Sequence, residues 1–305
     1  MKKINILFLW ILGIVLSVSS CKDDANPYDY SDNTFVRVTE KSVSIAIGDS
    51  YTFVPYFDSD ETANKKFIWN VLDPSIAEAN AGNDHAGIVT GKSEGTTVVE
   101  IVSEDQTMRY FVDVVVFKPF ELEYPIYIDF GPRLSGEPFN NYTGNDMKIL
   151  SNLVDEKSNI TEFSIEISSP FSGTLVRDLP NVLGFPSEVS NDVLFSDGIK
   201  IPVSSFKISN LNKRQKYTFI FYGAINDNNT ETEYRVIGKT DGSVLLNTSY
   251  NTSNVAIVEN ILPKDDSTID ITLQAGPNNM QWAKFFGINA MIIFPEGYEL
   301  PFPKD

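Results

Sequence analysis

Three sets of residues have the types and spacing to do chemistry. The first is Ser50 in Ile47-Gly48-Asp49-Ser50-Tyr51, a serine on a Gly-Asp turn behind a hydrophobic run. A nucleophilic serine needs a base within hydrogen-bond reach and a further group to orient that base. The chain has one histidine, His85, in the loop Gly82-Asn83-Asp84-His85-Ala86-Gly87, and it reads as an exposed loop residue. The second set is Asp129, which reads as a strand residue, and Asp192, which reads as a loop residue: paired carboxylates roughly 5 to 9.5 Å apart cleave glycosidic bonds. The third comprises aromatic residues in polar surroundings: Tyr142 in Asn140-Asn141-Tyr142, Tyr250 in Asn247-Thr248-Ser249-Tyr250-Asn251, and Trp282 in Pro277-Asn278-Asn279-Met280-Gln281-Trp282. Aromatic faces stack on the apolar side of a sugar ring while amides and carboxylates exchange hydrogen bonds with its hydroxyls. The candidate ligand-binding residues are therefore Asn141, Tyr142, Asp192, Tyr250 and Trp282.

The elements that must position these residues are strands. Runs such as Val112 to Val116, Lys216 to Tyr222 and Ile288 to Phe294 are rich in β-branched and aromatic residues and stop at Gly, Pro, Asn or Asp. Helical periodicity is nearly absent, so the expected class is all-β, built of sandwiches. With 24 basic and 41 acidic residues among 305, the formal charge is −17. A chain of that charge repels phosphate backbones, which excludes nucleic acid as a partner.

Lys2 and Lys3 precede an apolar run from Ile4 to Val18, shorter than the roughly 20 residues that span a bilayer core. Val18-Ser19-Ser20-Cys21 then resembles the lipobox of a bacterial lipoprotein precursor, and Cys21 is the only cysteine. The resemblance implies a signal peptide over 1–20 and lipidation of Cys21. A lone cysteine makes no intramolecular disulfide, and several acyl chains on it would anchor the protein stably to a membrane. Cleavage removes Lys2 and Lys3 and takes the charge from −17 to −19. The acidic tether 21–33 resembles the surface-export signal of Bacteroidota-type lipoproteins, which implies an outer-membrane anchor facing the cell exterior.

Residues 34–118 carry an ordered series: the run Ser42 to Ile47, the turn Gly48-Asp49-Ser50, the tryptophan run Phe67-Ile68-Trp69, the corner Asp73-Pro74-Ser75-Ile76-Ala77, and Gly87-Ile88-Val89-Thr90-Gly91 before Gly95-Thr96. This order resembles the group-two bacterial Ig-like domain and implies that Trp69 fills the core of a sandwich. In that setting Gly48 supplies a permissive backbone, and Asp49 and Ser50 bond locally to turn amides. Ser50 also resembles the nucleophile of GDSL-type hydrolases, but the Asp-x-x-His pair of that family has no counterpart here.

From residue 122 to 297 the strands become longer and more aromatic. Ile126-Tyr127-Ile128-Asp129-Phe130-Gly131, Pro186-Ser187-Glu188-Val189-Ser190-Asn191-Asp192, the strand around Tyr217 and Ile288-Asn289-Ala290-Met291-Ile292-Ile293 resemble a galactose-binding-like or malectin-like jelly roll. Family members often carry an arginine where Ala224 stands, which puts that ligand contact in doubt. The resemblance implies a poly- or oligosaccharide ligand and no enzymatic activity. It implies no obligatory cofactor but admits calcium, for which Asp227-Asn228-Asn229 and Asp265-Asp266 are acidic enough without having the spacing of a dedicated calcium loop. Residues 298–305 read as a tail.

The expectation is an Ig-like spacer presenting a larger jelly roll that captures glycan at the cell surface, feeding separate hydrolases and an outer-membrane uptake complex. An adhesion protein binding a protein partner through sheet edges is the alternative. A glycosidase using Asp129 and Asp192 is the third reading.

Overall fold

A computed structural model describes residues 36–57, 60–176 and 178–301, the side chains of 61 and 62 excepted. The lipobox, Cys21 and the acidic tether lie outside the described residues. The chain divides into two compact units that meet at Lys118 and Pro119. Among the described residues no helix is long and apolar enough to cross a membrane.

The first unit contains β1 (Val36–Arg37), β2 (Ser42–Ala46), β3 (Ser50–Phe53), β4 (Tyr56–Phe57), the one-turn α1 (Asp60–Ala63), β5 (Phe67–Val71), β6 (Ala77–Ala81), β7 (Gly87–Gly91), β8 (Gly95–Ser103) and β9 (Arg109–Phe117). A four-stranded sheet of order β2-β9-β8-β5 and a three-stranded sheet of order β3-β7-β6 bury one shared core. The period of two in the sequence produces this directly. Tyr110, Val112, Val114 and Val116 of β9 point inward, while Asp113 and Val115 between them stay outside the core. Trp69 lies in that core, stacked on Phe53 at 5.7 Å, and its indole N–H donates to the His85 carbonyl at 3.2 Å. Gly87 faces it across the sandwich, where a β-carbon would lie 2.1 Å from the ring. Gly48 takes φ 75° in the β2–β3 turn, the left-handed region that favours glycine.

The second unit contains β10 (Ile126–Phe130), β11 (Phe139–Tyr142), β12 (Ile149–Leu150), β13 (Ser164–Ser169), β14 (Gly173–Val176), the short α2 (Ser187–Ser190), β15 (Asp192–Ser196), β16 (Val203–Ser209), β17 (Tyr217–Tyr222), β18 (Glu231–Ile237), β19 (Asp241–Asn247), β20 (Ala256–Ile261), β21 (Ile269–Ala275), β22 (Phe286–Ile288) and β23 (Ala290–Pro295). The five-stranded sheet β11-β10-β23-β17-β20 faces the six-stranded sheet β12-β13-β16-β21-β18-β19. From β16 to β21 the chain passes repeatedly from one sheet to the other, as a jelly roll does. Phe130, Tyr142, Phe206, Phe219 and Phe221 fill the space between the sheets.

The outer face of the five-stranded sheet is covered as well. Ile220, Tyr222, Ala290 and Ile292 point that way and are packed by Leu179, Phe185 and Val189 from the segment leading through α2. Tyr298 and Leu300, expected to belong to a tail, pack onto this layer, and the Tyr298 hydroxyl donates to Glu156 at 2.9 Å. β10 therefore has two apolar sides. Ile126, Ile128 and Phe130 face the central core, and Tyr127 packs with the outer layer.

Candidate functional site

Asp129 alternates with Ile128 and Phe130 and so falls on the outer-layer side of β10, at the C-terminal end where the strand meets Ala290 and Asn141. Asp192 is the first residue of β15, held in register with Val176, rather than the loop residue its sequence suggests. Both side chains are only 1% exposed. Neither oxygen of Asp129 has a hydrogen-bond partner, nor has Oδ1 of Asp192, whereas Asp192 Oδ2 accepts the Arg133 amide at 2.9 Å. Burial raises Asp129 to about 6, with the nearby Ser135 hydroxyl and amide pulling it only partly back. Burial likewise raises Asp192 to about 7, opposed by the Arg133 amide and reinforced by the charge of Asp129. Two enclosed carboxylates cannot flank a substrate bond, so the geometry of the pair does not support glycosidase chemistry.

Asn289 organises the same end of the domain. It sits between β22 and β23, where its backbone N–H donates to Tyr222 O at 2.9 Å and its carbonyl accepts from Phe130 N at 2.8 Å. Its side chain accepts from Ala224 N at 2.7 Å and donates to the carbonyls of Ser190, at 3.2 Å, and Asp192. Ala224 itself is buried.

Of two further expected ligand residues, Tyr142 points into the core and Asn141 is only half-buried. Tyr142 is 0% exposed, with its ring against Phe130 and Phe206. Its hydroxyl donates to the Lys148 carbonyl and accepts from Ile167 N at 3.2 Å. The parallel pairing of β11 with β10 sets Tyr142 beside Phe130 and so fixes this direction. The Asn141 amide is consumed locally: Oδ1 accepts from Ser135 N at 2.8 Å, and Nδ2 donates to Ser135 O at 3.0 Å. Tyr142 has no face to offer a sugar, and Asn141 clamps the loop before β11.

The remaining candidates, Tyr250 and Trp282, are 45% and 81% exposed. Their loops are bonded to a common third loop. Tyr250 N donates to Ile225 O at 2.9 Å, and Gln281 Nε2 donates to Asp227 Oδ2 at 3.1 Å. The Trp282 loop is internally stiff. Asn279, fully buried, donates to Glu231 O at 2.9 Å and Phe285 O at 2.8 Å, and Gln281 accepts from Ala283 N at 2.6 Å. Phe285 meets the indole edge-on at 5.8 Å and rests in turn against Phe195 at 5.7 Å. The result is a fixed aromatic plate with Asp227, Asn228 and Asn278 on the supporting loops, the arrangement that sugar stacking needs. A separate groove of about 610 Å³ has walls of Tyr127, Phe139, Leu183, Phe185 and Pro186 with Glu156 at its side, and sequence reasoning missed it because its two walls are far apart in the chain.

Neither acidic stretch weighed for calcium gathers a donor set. Asp227 caps Asn228 N at 2.7 Å, Asp265 pairs with Lys239 at 2.9 Å, and Asp266 accepts from Thr268 at 2.7 Å.

Comparison with known proteins matches residues 32–110 to the bacterial Ig-like domain (group 2). The first module is an Ig-like domain. No curated protein matches the chain. Among solved structures, domains 4 and 5 of the S-layer protein SbsC align at 24% identity over 28% of this chain and 51% of that one, with a TM-score of 0.24. The chain spans 20% of a six-domain SbsC structure. A complex of TmCBM61 with β-1,4-galactotriose aligns at 18% identity, 34% and 70% coverage and a TM-score of 0.23. A Bacteroides uniformis β-glucuronidase aligns at 6% identity, 85% and 30% coverage and a TM-score of 0.31. At these scores the likenesses assign no activity.

Within the Ig-like domain the serine and histidine serve structure. Ser50 Oγ pairs with Thr90 Oγ1 across the β3–β7 ladder at 2.8 Å, where the sequence suggested a bond to a turn amide. His85 is half-buried rather than exposed, with its ring edge against Phe57 at 5.4 Å and Phe67 at 6.0 Å. Gly91-Lys92-Ser93-Glu94-Gly95, which sequence reasoning overlooked, has the spacing of a nucleophile elbow. It links two strands instead of a strand and a helix, and Ser93 Oγ is spent on Ser75 O at 2.7 Å.

Proposed function

We propose that the chain is a non-catalytic lipoprotein, anchored through Cys21 in the outer membrane and displayed to the exterior, whose Ig-like domain is a spacer and whose jelly roll captures poly- or oligosaccharide. The observation that carries the reading is Trp282: an indole 81% exposed yet braced by Phe285 on a stiff, polar loop. An exposed indole gains no burial from the fold, and bracing removes the rotamer entropy a ligand would otherwise have to quench. Tyr250 extends the same surface through the Asp227 loop. The charge of −17 disfavours polyanionic glycans and leaves neutral ones as the favoured class. The reading invokes no obligatory cofactor. Capture beside the membrane would raise local substrate concentration for separate hydrolases and an uptake complex.

A glycan array with the wild-type chain and Trp282→Ala tests this. The expected result is binding to one neutral polysaccharide class, weakened at least tenfold in the variant, which corresponds to about 1.4 kcal/mol. Silence across a broad array from folded protein would reject glycan capture and favour a protein partner.

A further inference from the structure

We propose that Asp129 and Asp192 form a proton-holding pair that latches the α2 segment onto the second unit, closed while the pair keeps a proton and loosened once the proton is lost. Each side chain is 1% exposed, and three of the four oxygens have no hydrogen-bond partner: both of Asp129 and Oδ1 of Asp192. Buried polar atoms are almost always paired, and an ionised carboxylate can only accept. The donors close to Asp129 are spent elsewhere. The Ser135 amide and hydroxyl donate to Asn141 Oδ1 at 2.8 and 3.1 Å, and Phe130 N donates to Asn289 O at 2.8 Å. No lysine or arginine forms an ion pair with either aspartate among the described residues. The charged groups that face the pair are Glu188 of α2, which adds negative charge at Asp129, and Arg133 after β10, which offsets part of it at Asp192. The partners in the sheets are neutral: Asn141 of β11, Val176 of β14, and Ala290 of β23 with Asn289 before it.

A proton answers this arrangement. It turns one carboxylate from an acceptor into a donor and removes a charge that burial penalises. Burial is the largest cause holding both groups above the ordinary aspartate range, Asp129 at about 6 and Asp192 at about 7. Asp192 feels the charge of Asp129, so the pair loses its protons in coupled steps. The fold leaves the second charge little room. Asp192 is packed over Gly131, where a β-carbon would lie 2.1 Å from its carboxyl carbon, and the Arg133 amide holds its Oδ2 at 2.9 Å. Relief of the repulsion therefore moves the turn before β15, which Asn289 holds by the carbonyls of Ser190 and Asp192. That turn is the end of α2, and the segment leading through it brings Phe185 and Val189 onto the outer face of the five-stranded sheet. A group whose pKa is raised on folding contributes stability below its unfolded value, about 3.9, and loses it as pH rises through the folded one. The latch is thus closed in acid and loosened above about pH 7, independently of whether Trp282 binds sugar.

The test uses the full chain in detergent with chelator present throughout. Calorimetry compares the wild type with Asp129→Asn and Asp192→Asn, which imitate the neutral acid, from about pH 5 to about pH 8, and the comparison cancels the other titrating groups. The transition of the second unit should coincide in all three at the acid end and separate as pH rises. At about pH 8 the wild type should unfold first, with an unfolding constant at least tenfold above that of either variant. Asp146→Asn, an exposed aspartate of the same unit, should show no such divergence. A difference infrared spectrum, wild type minus Asp192→Asn, should carry a protonated carboxyl C=O band at about pH 6 that is gone at about pH 8. Exchange of the Ser190 and Asn191 amides, which donate to Pro186 O and Ser187 O, should be faster in the wild type than in Asp192→Asn at the alkaline end. A stability gap that does not change with pH overturns the proposal, as does a wild type more stable than both variants at the alkaline end. Absence of the infrared band overturns it too, and equal exchange of the two amides overturns the latch.

Discussion

Single residues here separate into those whose polar atoms are consumed by the fold and those left outside. Tyr142 belongs to the first kind. Tyr142→Phe keeps the ring but leaves Ile167 N–H and the Lys148 carbonyl without their partner, which should cost about 1–2 kcal/mol in urea denaturation and leave glycan binding unchanged. Trp282→Ala should do the opposite, losing binding with the unfolding midpoint unaltered. Asp105 offers a test by pH. Lys65, Ser103 and Thr107 all donate to its carboxylate in the β8–β9 turn and hold it well below the ordinary aspartate value of 3.8. A group depressed on folding stabilises the fold above its unfolded pKa and loses that contribution as pH falls towards the folded one. The midpoint difference between wild type and Asp105→Asn should therefore be full at pH 6 and shrink progressively below about pH 4.

Elements are fixed by close approaches that tolerate little change. The Ig-like sandwich closes where Trp69 of β5 fills the space over Gly87 of β7. Gly87→Ala forces a methyl group into the indole, and the expected loss is about 3 kcal/mol, the upper part of the usual range for overpacking. In the jelly roll the corresponding fixture is polar. Asn289→Ala strands Ala224 N–H and frees the Ser190 and Asp192 carbonyls at one stroke, for an expected loss of about 3 kcal/mol in chemical denaturation. The same side chain joins the end of β17, the start of β23 and the α2–β15 turn.

At the scale of the whole molecule two separate hydrophobic cores predict two calorimetric transitions. Gly87→Ala should lower one of them and Asn289→Ala the other, each leaving its counterpart in place. The all-β class and the Ig-like first module were legible in the sequence because alternation and turn chemistry are local: Tyr110 to Val116 shows its inward face without reference to anything else in the chain. Trp69 was legible for the same reason, as a bulky residue in a strand with a known order of turns around it. The ligand residues were not. Tyr142 and Tyr250 both follow short polar residues, yet strand pairing beside Phe130 turns the first into the core, and a left-handed backbone at φ 47° leaves the second on the rim. Asp192 read as a loop residue until its register with Val176 made it the buried start of a strand. Sequence by itself determined the class, the charge and the polar chemistry on offer. Only the tertiary structure decided which side chains meet and which face water, because register and sheet stacking depend on partners that are distant in the chain.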